Sequence, residues 1–382
     1  MRRGLLAAAL VLALPLAAFA QDASVLSGWD DIEFAKALVA NGYPDLAPPV
    51  LDMVERSTEF TDQSRGPVTA IRLLVAQQRA SIIEDLLQRK DALFLVLEDE
   101  LNFVDAYGDQ DAAEDVRESL PELCTSIFDT VVEVMKQTTD DQALEAQRTQ
   151  GAALFEKADQ EIRKRIADLS RIAERSDSEE NKLMAIRYNC PHSAYQHSLL
   201  FPRGSARRVK LCKSAMADLD EFFLDYEGGE DPTVLVYYAY VDDGLCLKEI
   251  GAPDEAIKMF DRTIALRESW GPADEKTGVW PIPSGFEDVF DLVAYATVEK
   301  MVVLREQKRF DEAVKTGKDW FSSMKVPFAP PQSMVLAKEL AGNQLATDDA
   351  TGARATAEAM IREDPDGWGG ARGRELLGEA GK

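Results

Sequence analysis

Apolar residues recur in steps of three and four almost everywhere past Ser27, and no convincing two-residue alternation appears. The positions Cys212, Ala215, Met216, Leu219, Phe222, Phe223 and Tyr226 fall on one helix face, with Asp218, Asp220 and Glu221 between them facing out. The run Val234 to Tyr240 is strand-like in composition. It lies between Asp231-Pro232, which suits a cap and first turn, and Gly251, which suits a stop, so it is predicted to be a buried helix. Val68 to Gln88 and Ala92 to Tyr107 are expected as a helical hairpin broken near Lys90-Asp91, followed by a helix from Leu123 to Lys136. Gln142 to Glu174 is expected as one long polar segment, either a projecting arm or a degenerate repeat, with many charges three and four apart. Ser176 to Glu180 and Pro202-Arg203-Gly204-Ser205 read as polar breaks. A Pro/Gly-rich insertion at 270–284 carries Gly271, Pro272, Gly278, Pro281 and Pro283, with Trp270 and Trp280 inside it.

The clearest internal unit runs from Tyr240 to Glu268 and contains Gly244, Leu247, Gly251, Ala256, Phe260 and Ile264. It resembles the tetratricopeptide repeat, of the kind found in exported bacterial proteins. The resemblance implies that Gly244 lets the first helix approach its neighbour and that Gly251 takes the left-handed cap conformation. It also implies that Ala256 sits where the two helices touch and that Phe260 fills the groove beside the next helix. Tyr240 stands at the family's aromatic first position, and Glu268 replaces its closing proline. A second unit, Arg309 to Val314 with Ala313, has Lys308 in place of a glycine and Gly317 in place of an aromatic. A third runs from Gly352 to Ile361 and Pro365, with Ala357 at the aromatic position. Near the start, Phe34 to Val54 is similar, with Gly42 and Ala47 in the two small-residue roles. The implied fold is all-α, with antiparallel helix pairs stacked into a TPR-like α-solenoid whose grooves hold a peptide or a docking helix. Three parts are expected: a signal peptide at 1–20, degenerate helical repeats at 21–174, and a repeat region at 175–382 containing the insertion.

The signal-peptide reading rests on Arg2 and Arg3, the apolar run from Gly4 to Ala17, and Ala18-Phe19-Ala20 as a cleavage site. The run is short for a membrane span, which needs roughly 20 apolar residues. Export to a periplasm or the extracellular space is therefore expected, with cleavage near Ala20 and no membrane-embedded part. The net charge is −25, and losing Arg2 and Arg3 makes it two units more negative. Such a chain makes a poor ligand for nucleic acid, because phosphate contacts need cations. A protein or peptide is the expected partner, and no cofactor is expected.

Candidate chemistry is sparse. The two histidines, His192 and His197, lie close to Cys190, and Cys and His ligands suit zinc or copper. A metal or small-ligand carrier with a site near Cys190, His192 and His197 is thus one alternative to a binding scaffold, although the spacing matches no common zinc site, and a structural module of an envelope assembly with no discrete ligand is the other. A Cys190–Cys212 disulfide pinning a loop is a second reading of the same residues. Cys124 and Cys246 lie on apolar stripes and read as free thiols. Asp364-Pro365-Asp366-Gly367 has calcium-loop character, but Trp368 and Arg372 occupy ligand positions, so a turn explains it better. The acidic clusters Asp218 to Glu221 and Glu98 to Glu100 read as solvated helix faces. No Gly-x-Ser-x-Gly, phosphate-binding loop or His-Glu-x-x-His is present, so the chain is expected not to be an enzyme. Trp270, Trp280 and Trp320 are candidate partner contacts where exposed, and core or loop staples where buried.

Overall fold

The computed structural model describes residues 28–58, 60–228, 233–270, 273–280, 287–328 and 331–380. The leader-like residues 1–20 and the Asp231-Pro232 cap lie outside them. Two compact units divide at Arg165–Ile166, and no strand is present among the described residues.

The first unit contains α1 (Gly28–Ala40), α2 (Ala47–Arg56), α3 (Asp62–Ser81), α4 (Leu86–Tyr107), α5 (Asp111–Lys136) and α6 (Asp141–Thr149), then most of α7 (Ala152–Ser170). Helices α1 to α3 close over Ile32, Ala35, Val39, Leu51, Val54, Ile71 and Val75. Phe103, Val104, Ala113 and Val116 form the core between α4 and α5, against Ala70 of α3. The hairpin break falls at 82–85 instead of at Lys90-Asp91. Asp85 caps α4 by accepting from the Gln88 amide at 2.8 Å, and a cap outweighs a charged pair as a start signal. Lys90 is buried inside the helix, donating to Gln147 and Gln150 at 3.1 and 3.0 Å. The long segment after Gln142 is likewise two helices, because Gly151 has φ +73°. A Cβ there would collide with the Phe94 ring, which packs with Phe155.

The second unit continues through α8 (Asp177–Ser198), α9 (Ala206–Tyr226), α10 (Val234–Ile250), α11 (Pro253–Ala265) and the 3-10 turn Leu266–Trp270. It ends with α12 (Glu287–Glu306), α13 (Phe310–Ser323), α14 (Gln332–Ala346), α15 (Ala350–Glu363) and α16 (Trp368–Ala380). Ser176 opens α8 with a full capping box through Glu179, so that polar break is a helix start. Asp364 accepts from the Gly369 amide at 2.8 Å, which places the calcium-like string in the turn before α16. Helix α10 packs on both α8 and α12, and α14 packs on both α12 and α16. The intervening helices α9, α11, α13 and α15 pack on their chain neighbours.

One turn recurs four times among the described residues. Gly42, Gly251, Lys308 and Asp348 have φ of 79°, 84°, 61° and 57°. In each case the next residue's amide reaches back five positions: Tyr43 to Leu38, Ala252 to Leu247, Arg309 to Leu304, and Asp349 to Gln344, at 2.8 to 2.9 Å. This is the Schellman closure, which satisfies the open carbonyls at a helix end. Five residues after each left-handed position stands a buried alanine: Ala47, Ala256, Ala313 or Ala353. A larger side chain there would push the paired helices apart. Phe260 is fully buried, and a Cβ on Gly244 would come within 2.7 Å of its ring. Tyr240 is buried, with its hydroxyl donating to Glu227 at 2.8 Å.

Candidate functional site

The face built from α8, α10, α12 and α14 carries a ladder of polar pairs, each joining one helix to the next but one. His192 Nδ1 lies 2.8 Å from Asp242 Oδ2, Lys248 donates to Glu299 at 2.8 Å, and Arg305 pairs with Glu339. Arg203, in the turn after α8, clasps Glu306 through both terminal nitrogens at 2.9 and 2.7 Å. Such forked pairs fix geometry as well as charge. The acidic members Asp242, Glu299 and Glu339 are all largely shielded, so these contacts are less screened than surface ion pairs.

Aromatic rings fill the space around the ladder. Tyr188 stacks on His192 at 5.7 Å, and burial pushes its hydroxyl well above the usual tyrosine range, with the Asp242 carboxylate adding to the effect. Burial does the same for Tyr195 and Tyr295. Tyr238, Tyr295 and Val335 remain half-buried on this face, so it offers ring and aliphatic surface beside paired charges. Asp243 is buried one residue along, and burial followed by the nearby Asp220 carboxylate raises its pKa to about 6.

The opposite side has two grooves of the same construction. Between α11 and α13, over α12, a cavity of about 510 Å3 is lined by Asp261, Arg267, Lys300, Arg309, Glu312 and Lys315 among others. Its charges are largely matched, with Lys300 on Asp261 at 2.6 Å and Arg267 on Asp319 at 3.1 Å. Between α13 and α15, over α14, a cavity of about 580 Å3 is mainly apolar, with Phe321, Pro327, Phe328, Leu340, Ala355 and Ala359 in its wall. Phe321 and Phe328 pack at 5.0 Å, and Lys318 stands among the lining residues.

The structure does not bring Cys190, His192 and His197 together. All three lie within α8, where Pro191 is accommodated inside the helix, so the expected loop does not exist. His192 is taken by Asp242, whereas His197 packs on Phe201 at 5.6 Å. Burial, followed by repulsion from Arg207, lowers the His197 pKa to about 4. Among the described residues no group of three His, Cys, Asp or Glu side chains could hold a metal ion. The expected Cys190–Cys212 disulfide is also absent: all four cysteines are buried and none is in a disulfide, and the cysteine beside Cys212 is Cys246. A cysteine in mid-helix is positioned by its helix face, not by a flexible loop.

Trp320 is core, 1 % exposed, with Nε1 donating to the Pro327 carbonyl at 3.1 Å. Trp280 acts as a staple: its amide donates to the Ser323 carbonyl at 2.7 Å, and Arg267 lies 5.9 Å from its half-buried ring. The Trp270 side chain is outside the described residues. Of the acidic clusters, Glu98 and Asp99 are exposed as expected, but Glu100 is fully buried. The ladder itself was not anticipated. Its one sequence signal was Asp242-Asp243 in the middle of an apolar helix. In comparison with known proteins, no family model matches the chain and no curated protein gives a match. No helix among the described residues is long and apolar enough to cross a membrane.

Proposed function

We propose that the protein is a non-catalytic, exported helical-repeat scaffold that binds a protein or peptide segment through its second unit. The observation that carries this reading is the recurrent turn with its buried alanine five residues on. A unit repeated in this way buries one face of each helix pair against the next and leaves grooves between pairs, which suits binding of an extended or helical segment. The resemblance to tetratricopeptide repeats supports the same reading. The groove between α13 and α15 is the preferred contact, because apolar walls with few polar groups give affinity by burial. Export follows from the basic, apolar and small-residue pattern of residues 1–20.

The test is affinity capture from a cell-envelope extract with the full chain and with Ala355→Glu. Ala355 is exposed and lines the groove, so the charge blocks the groove without entering the core. A protein that co-purifies with the wild type and is lost with the variant supports the proposal. Failure of any protein to co-purify reproducibly, or capture unaffected by Ala355→Glu, refutes it. For export, the mass of the chain recovered from the envelope fraction should correspond to a start at Gln21.

A further inference from the structure

Two thiols meet in the core of the second unit. Cys212 lies on α9 and Cys246 on α10, both with no exposed surface, in one apolar cluster with Tyr195, Ala215, Val241 and Leu245. They are close enough for the Cys246 thiol to hydrogen-bond to Cys212. The Cys212 Sγ also lies 3.5 Å from Ser198 Oγ, at the end of α8, with Sγ as the donor in the thiol form. Once Cys212 is deprotonated the hydroxyl can turn and donate instead. The two neighbours thus favour the charged form of one sulfur and the neutral form of the other. The hydrogen bond from Cys246, and then that from Ser198, lower the Cys212 pKa to about 7 against the opposing effect of burial, whereas Cys246 is pushed up.

We propose that Cys212 and Cys246 are the chain's disulfide-forming pair, joining α9 to α10 when the protein folds in the presence of a small disulfide oxidant. The Cys212 thiolate attacks one sulfur of the oxidant, forming a mixed disulfide and releasing one thiolate. The Cys246 thiol then loses its proton and attacks the Cys212 sulfur, releasing the second thiolate. Both cysteines together give up two protons and two electrons, and the oxidant leaves as two thiols. In the folded chain both sulfurs are sealed from solvent, so the bond forms while α9 and α10 are still docking. Cys190 is also buried, on a different helix, and Cys124 belongs to the other unit.

The experiment refolds the full, reduced chain from denaturant in a mixture of reduced and oxidised glutathione. The product is denatured, alkylated and mapped by mass spectrometry. The expected product is monomeric, carries one Cys212–Cys246-linked peptide pair, and has alkylated Cys124 and Cys190. Its second unit should melt roughly 5–10 °C higher than the reduced form, as closing a loop of this length predicts. Cys246→Ser should leave Cys212 alkylated and abolish that rise, with its helical circular dichroism unchanged to show that it folds. Alkylation of both Cys212 and Cys246 in the refolded protein overturns the proposal. So does a link through Cys190 or between two chains.

Discussion

Glu100 is a carboxyl group placed where a charge cannot be solvated. It has no exposed surface, Ser119 reaches its Oε2 at 3.5 Å, and Oε1 has no hydrogen-bond partner among the described residues. Desolvation raises its pKa to about 8, so the group is protonated at neutral pH. In the unfolded chain it ionises near 4.5. Between those values the folded state holds a proton that the unfolded state has lost, so stability falls as pH rises through that window. Glu100→Gln keeps the shape and removes the titration. It should raise the melting temperature of the first unit at pH 8 and change it little at pH 4.5, as read by calorimetry. Equal effects at both pH values would show that Glu100 does not titrate in this range. The sequence did not reveal this residue, because Glu98-Asp99-Glu100 looks like one solvated run. Only the register of α4, set from Asp85, turns the third of them inward.

At the scale of elements, the left-handed turns separate backbone strain from packing. Lys308 and Asp348 hold φ of 61° and 57° without being glycine, which costs about 1 kcal/mol each. The Lys308 side chain is exposed, so Lys308→Gly should stabilise the second unit by about 0.5–1 kcal/mol in urea titration. Gly251→Ala is the converse: a Cβ there meets nothing within 4 Å, so the expected loss of about 1 kcal/mol is conformational. Gly244→Ala instead drives a methyl into the Phe260 ring, and overpacking of that kind costs about 1–3 kcal/mol. A larger loss at Gly251 than at Gly244 would contradict this assignment of roles. The turns were legible in the sequence wherever glycine marked them, and the spacing to alanine extended that reading to Lys308. The ends set by side-chain caps and by long-range collisions were less legible. Asp85 acts through its own amide neighbours, but Gly151 must be glycine because of Phe94, 57 positions earlier in the chain.

For the whole molecule, the two units carry opposite pH liabilities. In the first, Glu100 makes stability fall as pH rises from about 4.5 towards 8. In the second, burial holds the His197 pKa down to about 4, against an ordinary value of 6.5. Below 6.5 the unfolded chain takes up a proton that folded His197 refuses, so stability is lost as pH falls from 6.5 towards 4. Each group contributes at most about 1.4 kcal/mol per pH unit within its window. Asp243 works against His197, because burial raises its pKa to about 6 and favours the folded state in acid. His197→Phe removes one of these terms and leaves the other, and a phenyl ring keeps the contact with Phe201. Thermal unfolding of the full chain should therefore show two transitions that approach or cross as pH is varied. The transition assigned to residues 166–382 by a matching fragment should gain acid stability in His197→Phe. The transition of the first unit should be unmoved by that substitution, and a single transition shifting as one would show that the units unfold together.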